Sequence, residues 1–387
     1  MNPRPLRIAL CAGETSGDQL GAGLIEALAR RFPTAEFAGI GGPRMRDAGL
    51  SCWWDAGQLA VMGLAEVLAH LPRLLRLRRD FRRRVLDWRP DVFVGIDAPD
   101  FNLGVEKWLK RRGVRTVHHV SPSVWAWREA RAAKIGACAD RVLCLFPMEP
   151  PIYARHGVDA VFVGHPLADQ IALQPDRVAA RMQLGIAADA RVLALLPGSR
   201  IGEIRRMLPT FLQAAERVRL RHPDLHWLIP AASAECRGEI ERILQAEAVT
   251  VSATRARVLD GDAQAALIAS DAVLLASGTA ALEAMLCKRP LVVGHRIAPL
   301  TYRIVKGFGL LKSAHVSLPN ILAGRELVPE LLQDACTPER LAEALQRWLD
   351  DPAAMAALVP EFEHIHRQLR QDASARAADA VAEVLAR

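Results

Sequence analysis

Short apolar runs alternate with helix-length stretches along the chain, and this alternation limits the fold more than any other feature. In the first half the runs are "LRIALCA" (6–12), "EFAGIG" (36–41), "DVFVGI" (91–96), "VRTVHHV" (114–120), "RVLCLF" (141–146) and "AVFVG" (160–164). In the second half they are "RVLALLP" (191–197), "LHWLIPAA" (225–232), "VTVS" (250–253), "AVLLAS" (272–277) and "PLVVGH" (290–295). Helix-length stretches lie between them, at 17–31, 203–222, 235–247, 262–270 and 279–287. Strands that read as continuous Val, Ile and Leu, joined by helices, predict parallel sheets covered on both faces. The strands are too numerous for one comfortable sheet. The segment 164–186 breaks the alternation and contains two prolines, so the domain boundary is placed there.

The expected architecture is therefore α/β, with two Rossmann-like doubly wound domains facing each other across a cleft. The first covers 1–168, the second 169–345, and an alanine-rich helical C-terminal segment covers 346–387. With 387 residues, 51% of them hydrophobic and 24% charged, the chain can fill two cores. No apolar run reaches the roughly 20 residues of a membrane helix. The opening "MNPRPLRIALCAGETSGD" has a basic flank, but its apolar stretch Ile8 to Ala12 is too short for a signal peptide and reads as a first strand. The seven cysteines are scattered, odd in number and without a CxxC pair, as in a cytoplasmic protein with reduced thiols. No HExxH or similar spacing occurs among the histidines, and no metal is expected.

The formal charge of +7 has a local source. The stretch "LPRLLRLRRDFRRRVLDWRP" (71–90) carries Arg73, Arg76, Arg78, Arg79, Arg82, Arg83, Arg84 and Arg89 among leucines and aromatics, after the apolar "LAVMGLAEVLAHL". Three readings compete: a solvated helix face over a core, a helix lying on an anionic membrane, and a nucleic-acid surface. No aromatic interleaving or recognised motif supports the third, so no nucleic acid is expected.

In sheets of this kind ligands bind outside the carboxyl ends of the strands, which directs attention to the corners where strands end. "VFVGIDAPDFN" stops a central strand at Asp97, with Asp100 close behind. "CAGETSGDQLGAGL" follows the first strand. Gly13 and Gly17 would let a ligand approach, Ser16 reads as a helix cap, and Glu14 and Asp18 could bond sugar hydroxyls; an ordinary tight turn is the alternative. The stretch lacks GxGxxG and GxxxxGK[ST], so neither a nicotinamide cofactor nor a P-loop is suggested. "LLPGSRIGEI" offers Gly198 and Ser199 N–H groups, the Arg200 cation and a helix start, a set that suits phosphate. "LLASGTAALEAM" offers Gly278, Thr279 and Ala280 at another helix start, with Glu283 one turn in for ribose hydroxyls. Either corner alone can be a satisfied helix N-terminus; together they point to a nucleotide diphosphate. "VSPSVWAWREAR" puts Trp125 and Trp127 near Ser121, Ser123 and Arg128, as a platform for a sugar or acyl chain or as packing between helices. "VSLPNILAGREL" adds Asn320 and Arg325. No GxSxG occurs, and neither Ser16 nor Ser199 has an evident histidine relay. A lone carboxylate acting as base beside a nucleotide-sugar fits better, with Arg200 and helix dipoles holding the departing diphosphate: an inverting glycosyl transfer.

Seven stretches occur together and in order: "GETSGD", "VMG", "VGIDAPDFN", "VSPSVWAWR", "LLPGSR", "LLASGTAALE" and "VSLPN" with "LAGREL". In this the chain resembles the lipid-A-disaccharide synthase family over essentially its full length. The resemblance implies a GT-B glycosyltransferase without a cofactor. Its donor would be UDP-2,3-diacylglucosamine and its acceptor 2,3-diacylglucosamine 1-phosphate, joined into a β-1,6-linked disaccharide phosphate with release of UDP. The place implied is the cytoplasmic face of the bacterial inner membrane. Carried over by motif, Asp97 would activate the acceptor 6-hydroxyl, Glu14 would be the second cleft acid, and Arg200 and Asn320 would lie near UDP. Ser16, Asp18, Ser121, Trp125, Trp127 and Met62 become candidates for the acceptor and its acyl chains. The segment 61–85 resembles the family's membrane-holding patch, and a homodimer with exchanged C-terminal segments is left open. Asp100 is expected to brace the turn that aims Asp97. The competing readings are a UDP-N-acetylglucosamine 2-epimerase and a nucleotide-sugar or anionic-lipid binding protein without catalysis.

Overall fold

The computed structural model describes residues 4–59, 64–122, 131–247, 256–276, 278–296 and 315–387. Met62, Trp125, Trp127, Ser123, Arg128 and the strand expected at 250–253 lie outside the described residues. The chain forms two compact units, Met1–Asp169 with Leu369–Arg387, and Gln170–Gln368.

The first unit is a seven-stranded sheet. Its strands are β1 (Arg7–Ala12), β2 (Glu36–Gly41), β3 (Ser51–Asp55), β4 (Val92–Ile96), β5 (Arg115–His119), β6 (Arg141–Cys144) and β7 (Ala160–Phe162). They run parallel in the order β3-β2-β1-β4-β5-β6-β7, so the direction of winding reverses between β1 and β4. Alternation along β1 explains the two covered faces. Ile8, Leu10 and Ala12 share a core with helix α1 (Thr15–Arg31), while Ala9 and Cys11 face Phe81, Val85, Val105 and Leu109. The last four belong to two helices on the opposite face, Leu64–Trp88 and Pro99–Lys110.

The C-terminal segment differs from expectation. It is not a separate body: residues up to Gln368 belong to the second unit and those from Leu369 to the first. The reason is its last helix, Ala373–Ala386, whose Ala377, Val381 and Val384 form a stripe buried in the same core as α1. The carboxylate of Asp169 accepts N–H groups from Asp372 (3.0 Å) and Ala373 (2.7 Å), placing a negative charge at that helix's positive end. Arg141, nearly buried, donates to the carbonyl of Ala380 (3.2 Å) and pairs with Glu383 (2.5 Å).

The second unit has β8 (Val192–Leu196), β9 (His226–Ala231), β10 (Ala256–Asp260), β11 (Ala272–Leu275), β12 (Leu291–His295) and β13 (Glu330–Leu332). The order is β10-β9-β8-β11-β12-β13, again parallel, with the reversal between β8 and β11. The strands β3 and β13 are not signalled by the sequence. Both are edge strands with half-buried residues rather than an apolar run.

Candidate functional site

Each sheet opens at the point where its strand order reverses, and each opening is lined by the residues that end the two strands there. In the first unit Ala12 pairs with Ile96 at the last rung between β1 and β4. Glu14 follows the first strand and Asp97 the second. Both line a cavity of about 340 Å³, with Leu59, Leu74, Leu75, Arg78, Ala98, Pro99, Asp100 and Phe101. Two carboxylates from adjacent strand ends thus meet an apolar wall supplied by the helix Leu64–Trp88. Leu75 is 46% exposed, unusual for a leucine beside acids.

The turn that carries Asp97 is unusual in its backbone. Asp97 and Ala98 both lie in the left-handed region, at φ 50° and 42°, without being glycine. That geometry costs about 1–2 kcal/mol per residue and clusters at functional sites. It is held by the Asp97 N–H donating to the carbonyl of His119 (2.8 Å) and by Asn102 from one turn into the next helix. Asp100 does not brace it. It is exposed and makes no hydrogen bond among the described residues; at the first turn of a helix, its side chain leans out while that of Asn102 points back under the strand. Asn102 was within the quoted motif, but nothing local distinguishes it from a solvated helix residue.

In the second unit Leu196 pairs with Leu275 at the last rung between β8 and β11. Gly198, Ser199 and Arg200 follow the first strand, and Gly278, Thr279, Ala280 and Glu283 the second. All seven line one cavity of about 420 Å³, with Pro230, Ala231, Ala232, Gly261 and Ala263 from the neighbouring strand ends. Two helices, Ile201–Arg221 and Thr279–Leu286, begin at this opening and turn their free N–H groups toward it. Arg200 keeps its side chain 72% exposed. Burial raises the Glu283 carboxyl above its ordinary range. Glu203 was not singled out in the sequence. Its carboxylate accepts the Ser199 N–H (3.3 Å) and lies 3.5 Å from Arg200, occupying donors that a phosphate would use. An acid three residues after a helix start is its only local signal.

Three expected ligand contacts and one expected helix cap are corrected. Ser16 lies within the first turn of α1, whose cap position is Glu14. Asp18 is buried, and its carboxylate accepts N–H groups from Gly42 (2.8 Å), Arg44 (3.0 Å) and Met45 (3.1 Å), capping the helix Pro43–Asp47. Ser121 is buried against Tyr153, hydroxyl to hydroxyl at 2.9 Å, beside Glu149, whose carboxyl is pushed up to about 7 mainly by burial. Asn320 is fully buried and spends all four of its hydrogen-bonding positions. It donates to Val328 O and Glu330 (both 2.9 Å) and accepts from Leu327 (2.7 Å) and Val328 (3.0 Å). Arg325 pairs with Glu361 at 2.8 Å.

Comparison with solved structures defines the class first. A glycosyltransferase of kitacinnamycin superposes with a TM-score of 0.62 at 18% identity, covering 99% of this chain and 100% of its own. A UDP-GlcNAc 2-epimerase from Neisseria meningitidis bound to UDP-GlcNAc gives 0.60 at 10% identity, with 99% and 100% coverage. At such identities the likeness concerns the fold alone, and that fold is the GT-B arrangement of two Rossmann-like domains. Sequence comparison is more specific. The family model for lipid-A-disaccharide synthetase matches residues 8–384. A lipid-A-disaccharide synthase from Xanthomonas campestris pv. campestris (strain 8004) is 64% identical over 382 residues, 99% of this chain and 87% of that protein. The chain belongs to the lipid-A-disaccharide synthase family.

Proposed function

We propose that the chain transfers diacylglucosamine from its UDP ester to the 6-hydroxyl of 2,3-diacylglucosamine 1-phosphate, with inversion, yielding the β-1,6-linked disaccharide phosphate and UDP. The observation that carries this reading is the opposite chemistry of the two strand-reversal openings. One offers carboxylates beside apolar side chains; the other offers helix starts and the exposed side chain of Arg200. In this reading Asp97 accepts the proton of the acceptor hydroxyl as its oxygen attacks the anomeric carbon. The bond from that carbon to the diphosphate breaks, and the departing charge is met by Ser199 N–H, Arg200 and the two helix starts. Glu283 would hold ribose hydroxyls. Leu59, Leu74, Leu75 and Phe101 give the acceptor's acyl chains somewhere to lie beside the acids.

A surface role is proposed for the basic helix. Arg73, Arg76 and Arg83 are exposed at spacings of three and seven, hence on one side of the helix. Arg82 differs: it donates to Gly104 O and lies over the Trp108 ring, so it belongs to the fold. No helix among the described residues is long and apolar enough to cross a membrane. Peripheral binding to the anionic cytoplasmic face of the inner membrane fits a water-borne enzyme with lipid substrates. Glutamate at Arg73, Arg76 and Arg83 should abolish co-sedimentation with anionic vesicles; retained binding reduces the stretch to a solvated face.

The deciding assay supplies diacylated donor and acceptor in detergent micelles and follows UDP release and disaccharide mass. Product supports the reading. Turnover of water-soluble UDP-N-acetylglucosamine without lipid would favour the epimerase, which shares the fold. UDP binding without any product would favour a binding protein.

A further inference from the structure

We propose that Asn102 is the positioning residue that sets the Asp97 carboxylate for the transfer reaction. The inference rests on Asp97 being the base. Asn102 is fully buried in the helix Pro99–Lys110, yet its amide nitrogen lies within hydrogen-bond distance of three backbone carbonyls: Asp97 (2.9 Å), Cys11 (3.1 Å) and Ile96 (3.2 Å). Three acceptors and no donor face this atom, so it can only be the nitrogen end of the amide. Cys11 is the next-to-last residue of β1, and Ile96 is the last of β4. A single side chain therefore ties together the two strand ends from which Glu14 and Asp97 project, across the point where the sheet reverses.

The tie acts on a turn that would not keep its shape alone. Asp97 and Ala98 are consecutive left-handed non-glycine residues, and neither is stable there without outside support. The helix backbone adds to that support, since the main-chain N–H at position 102 donates to the carbonyl of Ala98 (2.9 Å), a bond that substitution of the side chain leaves in place. The helix is anchored one turn further on, where Glu106 meets His118 of β5 at 2.7 Å with both side chains fully buried. Without the amide, the Asp97 carbonyl loses a donor and the turn is free to relax toward ordinary backbone, swinging the carboxylate away. A displacement of about 1 Å at a reacting group can cost about 100-fold in rate.

The test is a coupling experiment on the full chain. Asn102→Asp keeps the shape and replaces the two N–H donors with a carboxyl that can supply at most one; Ala98→Val leaves the buried amide intact and opposes the left-handed turn from a half-buried position, and the melting temperatures report whether each variant folds. Each is made in the wild type and in Asp97→Asn, with kcat, KM for donor and acceptor, UDP affinity by calorimetry and melting temperature. The expected result is a kcat lowered about 10- to 100-fold in the wild-type background. UDP affinity should stay within about twofold, and Asp97→Asn should lose little or nothing more when either substitution is added. Equal fold-losses in both backgrounds would mean general damage and overturn the inference. Wild-type kcat in either variant, with Asp97→Asn slow, would overturn it while leaving the base assignment standing. Full turnover by Asp97→Asn itself would remove the base, and the inference with it.

Discussion

The two strand-reversal openings are built alike and chemically opposed, and the backbone shows why. Both need residues at positive φ where a strand breaks into a helix. In the second unit glycine takes that role, at Gly198 (φ 135°) and Gly278 (φ 85°). In the first unit it falls to Asp97 and Ala98. A corner that offers backbone N–H groups to a phosphate needs no side chain there, so glycine meets the geometry without strain. A corner that must present a carboxylate cannot use glycine, and the strain is carried by surrounding bonds, those of Asn102 and His119 among them. The difference separates a corner that binds with its backbone from one that acts with a side chain.

The comparison can be broken from either side. The largest effect expected is Asp97→Asn: kcat lower by about 10²–10⁴ with UDP affinity unchanged, as loss of a general base requires. A fall in UDP affinity of the same size would merge the two roles. Next is Asn320→Ala, which removes a fully bonded amide and should destabilise the protein by about 3 kcal/mol in urea unfolding. UDP affinity of the folded enzyme should change less than twofold; a large loss would return Asn320 to the nucleotide site. Arg200→Ala should weaken UDP by about 1.5–3 kcal/mol, with kcat less affected than in Asp97→Asn. Unchanged calorimetry would remove Arg200 from the phosphate cradle. The smallest effect is at Glu203, whose carboxylate holds the Ser199 N–H that a phosphate needs. Glu203→Gln should tighten UDP about threefold by removing a like charge. Weaker binding would instead make Glu203 a support for Arg200.

The residues that line the two openings together have a common property: their place depends on short-range sequence. Gly198 to Arg200 and Gly278 to Glu283 each sit where a strand run stops and a helix begins, and Asp97 ends an apolar run outright. The corrected residues depend on partners elsewhere. Asp18 looked like a sugar ligand until the N–H groups of Gly42, Arg44 and Met45 took its oxygens. Ser121 turned inward to Tyr153, and Asn320 to Glu330. A polar residue in a motif reads the same whether it faces a ligand or a buried backbone.

What the sequence determined alone is local or periodic: parallel strands from apolar runs, helix starts from Gly-rich corners, a basic amphipathic helix, and membership of a family through seven ordered motifs. What only the tertiary structure decided is where each polar group spends its hydrogen bonds and where the last helix docks. The alanine-rich tail forms a helix by propensity, but nothing in its composition says that Ala377, Val381 and Val384 would close the core of the first unit. Nor does the motif around Asp97 say that an amide five residues on would reach the carbonyl of Cys11, since the pairing of β1 with β4 alone brings those groups together.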